Sequence, residues 1–518
     1  MRSVRMRILA TLAVLAAVGV GGRQLLPSEG NSDKTIQVGT TDAVTSLDPA
    51  AAYDAGSWAL FSNVFQSLLT YEPGGASPVP DAARSCGFVG HDLRTYRCTL
   101  RGGLTFPSGR TMTAEDVKYS FDRVKKIKSD VGPSALLDTL ASTSADGLKV
   151  TFHLSSPDAT FPFKVATGAG SIVDRTRYPA NAPRTDNGVD GTGPYELTAY
   201  TKNKKAVLTP NAHYAGAVHA SGRPVDLLYY TDANKLNGAW KAKQLDVATR
   251  QLPPRVLAAL NPSDPGRRVS ESDSAETRNL YLNTREGSPL HQTKVRQALA
   301  WLIDREQLAA RVYDGTVDPL YSLIPTGITG HTTSFFDAYP KVDPGKARQL
   351  LTEAGVTLPV RFTYGYGAGR GAAAEEAAEL KRQLEADGLF KVTVKGYEWS
   401  DFQKRWATGK LDAYGVGWVA DYPDPDTFGA PLVGTDGTMN TGYSSSLVDQ
   451  LIRSGRQYAD RSEATDDFRE LQQAVATDAP VIPLWQAKEY VVGSEDVGGG
   501  QYLSDGTGVF RLWRLTWI

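Results

Sequence analysis

Between Val225 and Trp485 short apolar runs alternate with amphipathic segments, and this alternation constrains the fold more than any other feature. Strand-like runs stand at Val225–Tyr230, Leu245–Thr249, Leu280–Thr284, Val360–Tyr364, Val392–Val394 and Val481–Trp485. Helical spacing marks Thr293–Ala309, Pro344–Ala354, Glu375–Ala386 and Leu447–Thr477. The first of these puts Val295, Leu299, Leu302, Ile303 and Leu308 on one face, with Arg296 and Arg305 expected outside. Strands alternating with helices predict an α/β sheet with parallel pairs. At 518 residues the chain exceeds one average domain, so two or three lobes are expected. No fixed-period repeat points to a solenoid or propeller.

The first half reads as more β-rich. Thr35–Thr40 is a strand, Asp48-Pro49 a turn, and Trp58–Leu69 has helical spacing. Tyr71–Pro80 is rich in Gly and Pro and reads as the exit from a first lobe. Thr113 with Asp116 three residues on forms a variant capping box, opening a helix whose face is Val117, Ser120, Phe121 and Val124. Leu148–Leu154 alternates as a strand, and Gly191–Leu197 is a glycine turn entering another.

The N-terminus predicts export. Arg2, Arg5 and Arg7 precede an uncharged run, Ile8–Val20, shorter than the roughly 20 residues of a membrane span. Residues 1–24 are read as a signal peptide, with an uncleaved anchor as the alternative, and 25–34 as a linker. No Cys follows the apolar run to carry a lipid. The chain has two cysteines, Cys86 and Cys98, flanking a turn-like Gly-His-Asp in a predicted hairpin. In an oxidising compartment they are expected to form a disulfide, contributing about 3 kcal/mol in the chain-entropy picture.

Composition and motifs exclude several classes. A formal net charge of −1 and the lack of a basic run argue against a nucleic-acid partner. G-x-S-x-G, H-E-x-x-H and the P-loop pattern are missing, and nothing pairs two acids for glycoside chemistry. The six histidines are scattered and no Cys pairs support a metal site, so no metal, cofactor or catalytic residue is expected.

Two loops remain. Gly365–Gly371 reads G-Y-G-A-G-R-G after a strand and before a helix starting near Ala372, a context suited to an anion. Arg370 there could take a carboxylate bidentately, or be a solvated arginine on a flexible turn. Gly417–Phe428 reads G-W-V-A-D-Y-P-D-P-D-T-F after a short apolar run. Its two prolines stiffen the backbone and argue against a helix. It is either a solvated turn or a wall of aromatics and acids for a cationic, partly apolar ligand.

Five motifs in order carry a family resemblance. They are S-L-D-P-A-A-A-Y-D with N-V-F-Q-S-L-L-T-Y (Ser46–Tyr71), Leu100–Val124, G-T-G-P-Y (Gly191–Tyr195), V-R-Q-A-L-A-W-L-I-D-R (Val295–Arg305) and Gly417–Phe428. Over nearly all of the mature chain this resembles the bacterial extracellular solute-binding proteins of family 5, the peptide- and nickel-type receptors of ABC importers. The resemblance implies an α/β fold of the periplasmic-binding-protein type II (cluster C), two hinged lobes with an extra domain inserted in the first. Lobe I is expected to hold 35–75, 195–280 and 488–518, the extra domain 76–194, and lobe II 281–487. In peptide-binding relatives the first Asp of W-x-x-D binds the ligand's amino group, a position matched by Asp421, and a glycine-loop arginine binds its carboxylate, matched by Arg370. Trp418 would line the pocket, with Tyr53, Trp58, Tyr422 and Phe428 as further candidates.

The resemblance implies a monomeric extracytoplasmic receptor, not an enzyme, that passes short peptides to an ABC permease with its ATPase subunits. The alternatives are a same-fold receptor for an oligosaccharide, a metal chelate or a peptide-like antibiotic, and an exported hydrolase. Asp424 and Asp426, flanking Pro425, are expected to shape the turn.

Overall fold

A computed structural model describes residues 34–504 and 509–518. The expected export segment and nearly all of the linker, residues 1–33, lie outside the described residues. Two long antiparallel strands, Arg267–Leu282 and Val481–Ser494, run through both lobes side by side. At one end Val481–Ser494 pairs with Val247–Thr249, which lies parallel to Ile36–Thr40, itself parallel to Val225–Tyr229. At the other end Arg267–Leu282 pairs with Ala413–Trp418, followed by the parallel strands Val360–Gly367 and Phe390–Tyr397. The predicted α/β sheet with parallel pairs is therefore present twice, joined by the two long strands into one 11-stranded sheet.

The long strands lose register between Asp273 and Thr277, where Ser274, Ala275 and Glu276 bulge opposite Ala487. A bulge leaves ladder groups unpaired and bends the strand. Here it marks the joint between two separate cores. The first packs Ile36, Phe61, Phe121, Phe152 and Leu512 together, and the second packs Leu280, Leu299, Phe362, Phe428 and Leu471. The extra domain is a four-stranded antiparallel sheet backed by the helix Ala114–Ile127. Its capping box forms as expected, and Val117, Ser120, Phe121 and Val124 are buried. It shares the first core, since Phe121 and Phe152 belong to the same cluster as Val38 and Trp58. Cys86 and Cys98 face each other across its hairpin and are disulfide-bonded.

Five local expectations change. The predicted helix Thr293–Ala309 is two helices, Thr293–Ala300 and Arg305–Tyr313, because Asp304 caps the second by accepting from Gln307 N at 2.9 Å. Arg296 and Arg305 are buried, not outside. Arg296 donates to Asp478 O at 2.7 Å and Leu290 O at 3.1 Å, and Arg305 Nε donates to Pro483 O at 2.6 Å with its guanidinium over Tyr321. Carbonyl oxygens thus hold guanidinium groups that hydrophobic spacing alone would send to solvent, with Arg305 Nη2 left buried without an acceptor. The helix over Trp58–Leu69 instead spans Ala55–Val64, started by Asp54, which accepts from Ser57 N. Leu447–Thr477 divides into Ser446–Gly455 and Thr465–Asp478. Finally, Asp426–Val433 is helical despite the neighbouring prolines. Pro425 stands just before the first helical residue, where an N–H has no intrahelical partner to lose.

Candidate functional site

The apolar run Ala413–Trp418 is a central strand, paired to Arg267–Leu282 on one side and Val360–Gly367 on the other. It delivers Trp418 and, three residues on, Asp421 to a cavity of ≈200 Å³ between the lobes. The three acids of this stretch then separate sharply. Arg461 grips Asp424 with Nε at 2.7 Å and Nη2 at 3.0 Å. Arg456 grips Asp426 with Nε at 2.8 Å and Nη2 at 3.3 Å. Asp424 Oδ1 also accepts from Asp426 N, so these two acids do shape the turn. Asp421 alone has no basic side chain at ion-pair distance among the described residues. Its carboxylate accepts from Tyr53 Oη at 2.6 Å and Thr427 Oγ1 at 3.3 Å. Burial raises its pKa to about 7, offset in part by those two hydroxyls.

Tyr53 stands just before the helix Ala55–Val64 and packs against both cores. Its ring stacks on Trp58 at 5.1 Å and meets Trp418 edge-on at 5.8 Å. Burial and the neighbouring Asp421 hold its phenol well above 10, so it stays a donor. Trp58 is fixed beneath it by donating Nε1–H to Ala52 O at 3.1 Å. These three aromatics line the same cavity as Asp421.

The glycine loop reaches the cavity from the other side. Val360–Gly367 ends the strand, and Ala373–Glu385 is the helix that follows. Gly369 has φ +78°, and a Cβ there would stand 2.3 Å from Thr231 O, so only glycine lets the loop approach the first lobe this closely. Arg370 lines the cavity, with its guanidinium 3.8 Å over the Trp399 ring and Nη1 4.0 Å from Asp42 Oδ1. Burial lowers its pKa from 12.5. It is not the solvated arginine of a free turn.

Further charges gather there that the sequence reading missed. Arg250 lies near Glu276 at 3.1 Å, Asp42 at 3.4 Å and Glu489 at 3.6 Å. Arg250 and the next residue, Gln251, have φ +61° and +53°, two successive non-glycine residues in the left-handed region at the cavity wall. Arg278 is paired with the fully buried Glu376 at 2.7 Å, which also accepts from Tyr313 Oη and Trp485 Nε1. Glu276 and Arg278 share a strand two residues apart, so period-2 alternation puts both on the cavity face. In a stretch as polar as Ser270–Asn279, and with Glu276 inside the bulge, that spacing is only a weak signal. The Arg250 cluster had none, since its members lie at 42, 250, 276 and 489.

Arg250 and Arg278 are thus matched by carboxylates at 3.1 Å or less, whereas Arg370 has Asp42 only at 4.0 Å and Asp421 has no cation. The indole N–H groups of Trp399 and Trp418 are buried without an acceptor. Among the described residues the cavity therefore offers two carboxylates without a cation at ion-pair distance, Asp421 and the helix-capping Asp54, one weakly matched cationic group and two free donors between aromatic walls. Such a lining complements a small zwitterion with carbonyl oxygens between its ends. Among the described residues no cluster of three or more His, Cys, Asp or Glu could hold a metal.

Two aromatic candidates lie elsewhere. Tyr422 is fully buried, donating to Asp426 Oδ2 at 2.9 Å, and faces a separate crevice. Phe428 packs in the second core and lines no cavity described here. Tyr422 is held by its hydrogen bond to Asp426, and the helix Asp426–Val433 carries Phe428 into the second core. The lobes are closed on each other. Besides Tyr53–Asp421, Thr45 Oγ1 donates to Gln403 Oε1 at 2.9 Å and Asp138 pairs with Arg456 at 2.7 Å.

Residues 77–440 match the family model described as bacterial extracellular solute-binding proteins, family 5 Middle. The chain is 26% identical over 467 residues to the probable D,D-dipeptide-binding periplasmic protein DdpA of Escherichia coli, covering 88% of each. Its fold matches DppA from Helicobacter pylori in complex with the peptide STSA at a TM-score of 0.83 and 22% identity, over 94% of this chain and 98% of that one. It also matches AgaA from A.tumefacien R10 in complex with agropinic acid, at a TM-score of 0.84 and 19% identity over 94% and 99%.

Proposed function

The chain belongs to the bacterial extracellular solute-binding proteins of family 5 and has the type II periplasmic-binding fold, and on that premise we propose that it captures short peptides for an ABC importer. The observation that carries this reading is the pair of incompletely matched charges, Asp421 and Arg370, facing one closed cavity. Asp421 takes the peptide's amino group and Arg370 its carboxylate. Trp418, Tyr53 and Trp58 wall the amino end, and the free indole donors meet peptide carbonyls. A buried ion pair is favourable only if both charges are matched, which selects a ligand bringing one of each sign. A volume of ≈200 Å³ suits a di- or tripeptide.

We assign 35–75, 195–280 and 488–518 to lobe I, 76–194 to the inserted domain and 281–487 to lobe II. The register break opposite Ala487 supports a hinge near these boundaries. Closure gains from ligand only in so far as ligand favours the closed state, and here the ligand would bridge Asp421 and Arg370 of lobe II to Tyr53 and Trp58 of lobe I. The receptor works as an extracytoplasmic monomer, presenting the closed state to a permease with its ATPase subunits and doing no chemistry itself. No helix among the described residues is long and apolar enough to cross a membrane.

A thermal-shift screen tests the ligand class. Dipeptides and tripeptides are expected to raise the melting temperature, with about 2.7 kcal/mol of stabilisation at ~100 times Kd. Stabilisation by an opine, an oligosaccharide or a nickel chelate, with none by any peptide, overturns it.

A further inference from the structure

A second crevice lies directly behind Tyr53. It has a volume of ≈570 Å³ and runs between the inserted domain and the second lobe, from Tyr53 and Thr438 past Asp138 and Ser155 to Thr435 and Asp436. Thr435 and Asp436 are exposed, so its far end opens to solvent. Tyr53 and Thr438 are the two residues that line both this crevice and the candidate peptide cavity. The Thr438 side chain interacts with the Tyr53 hydroxyl, and that hydroxyl stands 2.6 Å from Asp421 Oδ2. The partition between the two spaces is therefore one phenol ring and one threonine, placed against the carboxylate assigned to the ligand's amino group.

We propose that Tyr53, backed by Thr438, is the steric stop at the ligand's amino end, and that the crevice behind it is a latent subsite for residues extending from that end. This rests on the peptide reading above. Any group added to an amine bound at Asp421 on the Tyr53 side meets the phenol, which cannot tilt freely because Trp58 stacks on it and Trp418 holds its edge. Beyond the ring there is no further wall. The crevice combines the polar groups of Ser155, Thr435 and Asp436 with apolar surface from Leu136, Pro431 and Ile452, so it can take a hydrated backbone together with its side chains. The steric part of the exclusion of blocked peptides, which adds to the charge preference of Asp421, is thus set by one side chain and not by the shape of the lobes.

Calorimetric titration of the chain with Ala-Leu and with N-acetyl-Gly-Ala-Leu tests the proposal, read as the ratio of the two Kd values. Tyr53→Ala is expected to narrow the wild-type ratio by ~10-fold or more, and Tyr53→Phe, which keeps the ring, by less than ~3-fold. Thr438→Gly opens the partition without disturbing the Tyr53–Trp58 stack and is expected to act in the same direction, so it carries the test if Tyr53→Ala does not fold. An unchanged ratio in the folded opening variants overturns the stop while leaving the peptide reading intact. So does equal narrowing in Tyr53→Phe and Tyr53→Ala, since the hydroxyl alone would then set selectivity. Failure of the wild type to bind Ala-Leu or any other free dipeptide takes down both readings together.

Discussion

The Tyr53 hydroxyl donates to Asp421 Oδ2 at 2.6 Å across 368 residues of chain. On the proposed lobe assignment this hydrogen bond spans the cleft, so the acid is enclosed only when the lobes are shut. A carboxylate that is buried without a cation and held by a phenol and a threonine is poised to accept an ammonium group.

The first consequence concerns that acid alone. Asp421→Asn removes the charge and keeps the shape. Free-amine dipeptides should bind at least ~30-fold more weakly, roughly the 2 kcal/mol of losing one partner of a buried charge pair, while N-acetylated peptides change little. Isothermal titration checks this, and equal losses for both ligands would remove the amine-anchor role.

Stability against pH gives a second consequence. Burial lifts Asp421 from 3.8 to about 7 in the folded state. Between these values the folded state holds a proton that the unfolded state has released, so this group makes the unliganded protein less stable as pH rises from about 4 to about 7. Asp421→Asn should raise the apo melting temperature at pH 8 and leave it unchanged at pH 4, with a difference of order 1–3 kcal/mol. Differential scanning calorimetry at the two pH values decides it. A larger stabilisation at pH 4 than at pH 8 contradicts the assignment.

At the other end of the cavity, Arg370→Ala should weaken peptides with a free carboxylate by ~10- to 100-fold and leave C-amidated peptides nearly unaffected. Arg370→Lys should recover only part of the loss, because an ammonium neither forks onto a carboxylate nor stacks flat on Trp399. Titration of an acid and amide pair reads this directly. Equal losses for both members would make Arg370 a structural residue.

The disulfide separates stability from binding. Cys86→Ala with Cys98→Ala should reduce unfolding free energy by about 3 kcal/mol without changing peptide affinity, since neither cysteine lines the candidate cavity. Urea unfolding and titration of the double variant measure the two effects.

Much of this was legible in the sequence where periodicity or an ordered motif carried it. The parallel strands, the capping box at Thr113 and the turn-shaping roles of Asp424 and Asp426 all follow from local spacing. Arg296 and Arg305 were misplaced because helical spacing treats an arginine as a solvent-facing charge. Their carbonyl partners at 478 and 483 lie over 170 residues away. Tyr422 and Phe428 sit in the motif that bears Asp421, yet Tyr422 is bound to Asp426 and Phe428 is carried into the second core by the helix after Pro425, so neither lines the cavity. Glu276 was hidden because its position depends on a bulge that only the pairing of the two long strands creates.

The central claim is that Asp421 and Arg370 hold the two ends of one zwitterionic peptide. Calorimetric titration of the wild-type chain with Ala-Leu, N-acetyl-Ala-Leu, Ala-Leu amide and N-acetyl-Ala-Leu amide is the decisive test. The account predicts saturable binding of the free dipeptide, with each block weakening it by at least ~10-fold and both together by more than either alone. Equal affinity for blocked and free forms would contradict it, as would no binding of any di- or tripeptide beside clear binding of another solute.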